Sequence, residues 1–168
     1  GLVADFVEKP AKPVGNLVNT SIYCFAKRVM AELEKAPKTE RGEFEITGVI
    51  RKLAREGQVG GVELKEYWMD IGMPWQFLDA SGHLISKMPA KREGSVENST
   101  LKGKVVVEEG AHVYNSYIEG PAYIGRNSEV GPFVYIRPVT AIGEKCSLSS
   151  GTTVKNSILM DRVNAKHL

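Results

Sequence analysis

From Ile118 onward an aliphatic residue returns at every sixth position: Ile118, Ile124, Val130, Ile136, Ile142, Leu148, Val154 and Met160. A helix repeats every ~3.6 residues and a strand every ~2, so neither produces this spacing. A second register locks to the first. Two places before each aliphatic residue stands a small or β-branched one: Ser116, Ala122, Ser128, Val134, Thr140, Cys146, Thr152 and Ile158. Glycine follows the aliphatic position at 125, 131 and 143. The pattern describes a chain wound as a three-sided prism, with the aliphatic side chain on the axis and the small one at the corner. A single coil cannot bury that face, so coils stack. The expected fold is a left-handed parallel β-helix of hexapeptide repeats. Val107 and Val113 precede a five-residue step to Ile118, which reads as a corner loop within the repeat.

Upstream the pattern changes. Residues 2–7, 17–25 and 59–67 read as strands. Residues 27–35 carry Val29, Met30 and Leu33 at helical spacing. Residues 43–56 put Ile46, Val49, Ile50 and Leu53 on one face, with Gly57 as the stop. Pro74 suits a first helical turn and opens a helix over 75–88, which Gly82 weakens. The polar stretch 89–98 reads as a connector. The expected division is an α/β part at 1–88, the connector at 89–98 and the β-helix at 99–168. The α/β part lacks a strand–helix–strand series and reads as a piece of a domain.

Charge is nearly balanced, 22 basic against 20 acidic residues for a net +2, and no basic block suggests a nucleic-acid surface. No apolar run approaches the ~18 residues of a membrane span, and no signal-peptide pattern opens the chain. Cys24 and Cys146 lie in apolar settings, Cys146 in a small-residue slot of the hexad, where a buried free thiol is expected. The expected location is cytoplasmic. The chain opens on Gly1 and closes on Leu168 without a polar cap, which reads as an internal fragment of a longer protein. Tyr114, Tyr117, Tyr123, Phe133 and Tyr135 fall on or beside the flat sides. Outward aromatics on a rigid surface suggest a partner interface, and a homotrimer is expected.

Four segments carry a family resemblance: Val7-Glu8-Lys9-Pro10, Asn19-Thr20-Ser21-Ile22-Tyr23, Arg41-Gly42-Glu43-Phe44-Glu45-Ile46-Thr47 and Tyr67-Trp68-Met69-Asp70-Ile71-Gly72. In this order they resemble the second half of the sugar-1-phosphate nucleotidylyltransferases. The resemblance implies transfer of a nucleotidyl group from UTP or dTTP to a sugar-1-phosphate, by alignment and charge neutralisation. It implies that Asp70 is one of two aspartates holding Mg²⁺. Glu8 and Asn19 would bind sugar hydroxyls or the acyl-amino group, and Lys9 would face the sugar phosphate. The family's usual glycine in the Asn-x-Gly-Ile-Tyr motif is Ser21 here. Its glycine-rich nucleotide loop and first metal-binding aspartate have no counterpart in these 168 residues.

In the second half, Gly131-Pro132-Phe133-Val134-Tyr135-Ile136-Arg137-Pro138, Val154-Lys155-Asn156 and Lys166-His167-Leu168 resemble the acetyltransferase domain of bifunctional members. There the resemblance implies acetyl-CoA as co-substrate, Arg137 and Lys155 on the phosphate of glucosamine-1-phosphate, and His167 as general base. The usual glycines at Val139 and Lys166 are missing. The repeat speaks independently of the resemblance: Arg137 and Lys155 each follow an inward aliphatic residue one coil apart, so they should stack about 4.8 Å apart. Two stacked cations suit an anion between them. Three readings stay open on the sequence: a bifunctional nucleotidylyltransferase/acetyltransferase, a nucleotidylyltransferase whose β-helix only trimerises or regulates, and a non-catalytic hexapeptide scaffold.

Overall fold

A computed structural model describes the chain except residues 39–41, 43, 167 and 168. It divides into two compact units, Gly1–Trp68 and Met69–Leu168.

The first unit is built on α1 (Arg28–Glu34) and α2 (Ile46–Arg55). Val29, Val49 and Leu53 form its core, with Phe25, Leu33, Ala36 and Val59 packed against them. The helices are where the spacing predicted them, although residue 43, expected as a helix start, lies outside the described residues. The three expected strands do not form. The N-terminal segment is held by one antiparallel bridge, Leu2 to Gly60, and residues 17–25 join no sheet. The apolar residues are present, but a strand needs a run of hydrogen bonds to a neighbour, and residues 1–3 and 59–61 share only that short bridge. Leu17, Val18 and Ile22 consequently stay exposed.

The second unit opens with α3 (Pro74–Lys87) and continues into a three-sided parallel β-helix. One side stacks β3 (Thr100–Lys102), β6 (Tyr117–Glu119) and the first halves of β9 (Tyr135–Ile142) and β11 (Thr153–Leu159). A second stacks β1 (Lys91–Arg92), β4 (Val105–Val107), β7 (Ala122–Ile124) and the second halves of β9 and β11. The third stacks β2 (Ser95–Glu97), β5 (His112–Tyr114), β8 (Glu129–Val130), β10 (Ser147–Leu148) and β12 (Asn164–Ala165). Ile118, Ile124, Val130, Ile136, Ile142 and Leu148 fill the axis, essentially inaccessible.

The five-residue step is a shortened corner. Leu101 pairs with Ile118 and Val107 with Ile124, so these coils run one residue short and the axis column continues unbroken. The same shortening corrects one expectation. A register shift between Lys155 and Ser157 moves Leu159, not Met160, opposite Ile142. Met160 is therefore 62% exposed. The polar stretch 89–98 is not merely a connector, since β1 and β2 within it already pair with β4 and β5. Its inward position is Val96, and the polar residues face outward.

The small-residue slots do more than save space. Ser128 Oγ donates to the Gly143 carbonyl at 2.8 Å and accepts from the Cys146 amide at 2.9 Å. Ser116 Oγ donates to the Tyr114 carbonyl and accepts from the Val134 amide. Corner backbone groups that the ladders leave unpaired thus find partners. Gly125 has a steric reason, because a Cβ there would lie 2.4 Å from the Gly143 carbonyl oxygen of the next coil. Cys146 is buried and free, as its slot implies; Cys24 is free but exposed.

One side of the prism is closed by α3, which packs on β9 and β11. The outward residues there, Val106, Ala141 and Ile158, suit an apolar helix face. Lys104 Nζ donates to the Ser86 carbonyl at 2.9 Å and ties down the last turn. No helix among the described residues is long and apolar enough to cross a membrane.

Candidate active-site residues

On the side built from β3, β6, β9 and β11, Arg137 and Lys155 are register partners on successive coils. Both are exposed. Among the described residues neither has a carboxylate within ion-pair distance. The Arg137 guanidinium lies 5.9 Å from the centre of the Tyr135 ring, a cation–π distance. Tyr135 meets Tyr117 edge to face, centroids 5.3 Å apart. In the same column, Glu119 on the coil below Arg137 pairs with Lys102 one coil further down at 3.6 Å, so the alternation of charge stops at Arg137 and Lys155. The two cations stand on neighbouring strands, about 4.8 Å apart in the stack, an arrangement that can accept an anion between them. His167 lies outside the described residues.

An open trough of about 420 Å³ borders this side at the corner shared with the third. Tyr117, Tyr135, Asn98, Asn115 and Phe133 line it. Phe133 is 71% exposed and sits at φ +58°, a conformation that a bulky side chain rarely adopts.

In the first unit, Glu8 and Lys9 are exposed and form a loose ion pair at 3.9 Å. Lys9 takes φ +42° immediately before Pro10, where an extended backbone is the norm. Asn19 is engaged locally: Oδ1 accepts from the Ser21 amide at 3.0 Å and Nδ2 donates to the Tyr23 hydroxyl. Ser21 itself has φ +59°. The glycine usual in this motif thus has a conformational cause, and serine keeps the turn at some strain.

Asp70 belongs to the second unit and is exposed on the approach to α3. The turn after it is fixed by Gln76, whose Oε1 accepts from the Gly72 and Met73 amides at 2.9 and 2.8 Å. A carboxylate is the right donor for a hard cation such as Mg²⁺, but one is too few to hold it. No cluster of three acidic, histidine or cysteine ligands occurs among the described residues.

One arrangement was not anticipated from the sequence. Asp5 accepts from Arg51 Nε at 3.0 Å and Nη2 at 3.3 Å, and from Arg55 Nε and Nη2, both at 3.3 Å. Arg51 and the Phe6 amide, then Arg55, hold its carboxyl well below the usual carboxylate range. The available signal was Arg51 and Arg55 four apart on the polar face of an amphipathic helix; nothing in the sequence named their partner.

Residues 1–87 match the family model described as nucleotidyl transferase, more than half of the chain. The chain belongs to the nucleotidyl transferase family. It is 42% identical over 168 residues to the bifunctional protein GlmU of Methanocaldococcus jannaschii, covering 99% of this chain and 41% of that protein. To the bifunctional sugar-1-phosphate nucleotidylyltransferase/acetyltransferase of Sulfurisphaera tokodaii it is 38% identical over 169 residues, covering 99% and 42%. Glucose-1-phosphate thymidylyltransferase of Streptomyces antibioticus is 33% identical over 162 residues, covering 95% and 45%. The chain spans less than half the length of these relatives. The nucleotidyl transferase match includes α3, although in this structure α3 packs with the β-helix unit.

Proposed function

We propose that this chain is part of a bifunctional enzyme of nucleotide-sugar synthesis. One activity transfers a nucleotidyl group from UTP or dTTP to a sugar-1-phosphate. The other, on the β-helix, acetylates glucosamine-1-phosphate from acetyl-CoA. The observation that carries the second activity is the in-register pair Arg137 and Lys155, neither within ion-pair distance of a carboxylate among the described residues. In this reading they hold the phosphate of glucosamine-1-phosphate. His167 takes a proton from the amine as its nitrogen attacks the thioester carbonyl, and CoA leaves as the thiolate. His167 stands 12 residues after Lys155 in the sequence, and in this reading the complete site draws on an adjacent prism in a homotrimer. In the first activity Glu8 and Asn19 hold the sugar and Lys9 its phosphate. Asp70 gives one carboxylate to Mg²⁺, which when bound neutralises phosphate charge. Its working place is the cytoplasm, where nucleoside triphosphates and acetyl-CoA are available.

The thymidylyltransferase relative favours a second reading, in which the β-helix assembles or regulates a nucleotidylyltransferase and has no chemistry. Kinetics of the full-length protein separate the two. Arg137→Ala or Lys155→Ala should raise KM for glucosamine-1-phosphate and leave KM for acetyl-CoA nearly unchanged. His167→Ala should lower kcat by roughly 10²–10⁴-fold. Wild-type acetyl transfer in both Lys155→Ala and His167→Ala would sink the acetyltransferase reading.

A further inference from the structure

The N-terminal segment is tied to its unit at a few points. The Gly61 amide donates to the Gly1 carbonyl at 2.7 Å, and the Val3 amide to the Val59 carbonyl at 2.9 Å. The last tie is Asp5, gripped by both arginines of α2. From residue 7 to residue 18, the Glu8–Lys9 pair is the one ion pair or hydrogen bond among the described residues. Glu8 follows Asp5 by three chain steps, a reach of about 10 Å at full extension. Beyond that reach Pro10 fixes its own φ and restricts the backbone of Lys9 before it. Freedom in the placement of the Glu8-Lys9-Pro10 turn therefore lies at residues 6 and 7, directly after the clamp.

The clamp is rigid where it needs to be. Arg51 and Arg55 rise from a helix whose Val49 and Leu53 are buried against Val29. A guanidinium fork fixes a carboxylate in orientation as well as in distance. As exposed ion pairs, these bonds add little to stability. Two forks converging on one carboxylate fix where Asp5 stands relative to α2. What lies immediately beyond it is the sugar-phosphate turn.

We propose that Asp5, held by Arg51 and Arg55, is a positioning residue that sets the placement of Glu8 and Lys9 for the sugar-1-phosphate. The proposal rests on the nucleotidyl transfer reading above. Asp5 touches no substrate; it acts through the turn that follows it. Losing the clamp therefore weakens binding of the sugar phosphate and spares the nucleotide.

The test uses the full-length protein with N-acetylglucosamine-1-phosphate and UTP, or with glucose-1-phosphate and dTTP, whichever pair the wild type turns over. Asp5→Asn should raise KM for the sugar phosphate about tenfold, with KM for the nucleotide and kcat within about twofold. The double variant Arg51→Gln/Arg55→Gln should reproduce this, and Asp5→Glu, which keeps the charge, should largely restore KM. Backbone hydrogen exchange at residues 6–9 should accelerate in Asp5→Asn while α2 stays protected. An unchanged KM for the sugar phosphate overturns the proposal. So does a parallel loss of kcat and both KM values with a lowered melting temperature, the signature of a merely structural role. A wild type inactive with both pairs overturns the functional reading and the positioning role with it, whereas unaltered exchange at residues 6–9 overturns the clamp alone.

Discussion

Ser21 stands where the related motif uses glycine, at φ +59°, with its amide bonded to Asn19 Oδ1. A non-glycine residue in that region is strained by about 1 kcal/mol, partly offset because glycine has more freedom to lose on folding. Ser21→Gly should stabilise the first unit by about 0.5 kcal/mol, read as a rise in the denaturant midpoint at unchanged slope. A loss of stability would show that the serine side chain makes a compensating contact. The same scale explains which slot residues were readable. Ser128 and Ser116 were legible as small, but not as hydrogen-bonding, because the carbonyls and amides they serve lie on other coils or across a corner.

Among elements, α2 has a pH dependence of its own. Arg51, the Phe6 amide and Arg55 lower the Asp5 carboxyl below its ordinary value. A depressed folded-state pKa means the contribution is present above the unfolded value of about 3.9 and fades as pH falls through the folded one. Attachment of residues 1–6 to α2 should thus weaken below about pH 4, seen as faster exchange there, and Asp5→Asn should remove that dependence. Equal acid sensitivity in the variant would assign it to other carboxylates. The elements also show where periodicity sufficed. The helices α1 and α2 follow their apolar spacing and α3 opens at Pro74, because a helix satisfies its backbone internally and needs only one buried face. The expected strands of the first unit failed for the converse reason: a strand's hydrogen bonds belong to its neighbour.

At the scale of the whole β-helix, α3 closes one side, and the corner opposite that side carries Phe133, 71% exposed at φ +58°. In a ring of three, each copy sees its neighbours in directions about 60° apart, whereas the faces of a triangular prism are about 120° apart. A trimer therefore sets a face of one copy against a corner of the next. The Tyr117/Tyr135 face and the Phe133 corner are the free pair with matching apolar character. Phe133→Gly should relieve strain in the isolated chain and yet weaken assembly. Sedimentation at about tens of micromolar should show trimer for the wild type and dissociation for the variant. A monomeric wild type would count against the homotrimer.

What the sequence determined by itself was the periodic part. A hexad with its slot residue and its glycine specifies a coil, its axis and the one-coil spacing of Arg137 and Lys155, since every partner lies about 18 residues away along the same lattice. The lattice announced the short corner before Ile118 but not the one after Lys155, where Met160 gave its axial place to Leu159. Tertiary structure alone decided that α3 lies on the prism, that residues 91–97 already belong to the first coil, and that Asp5 meets Arg51 and Arg55. These contacts join segments with no common period, and only packing and charge in three dimensions select one partner among many.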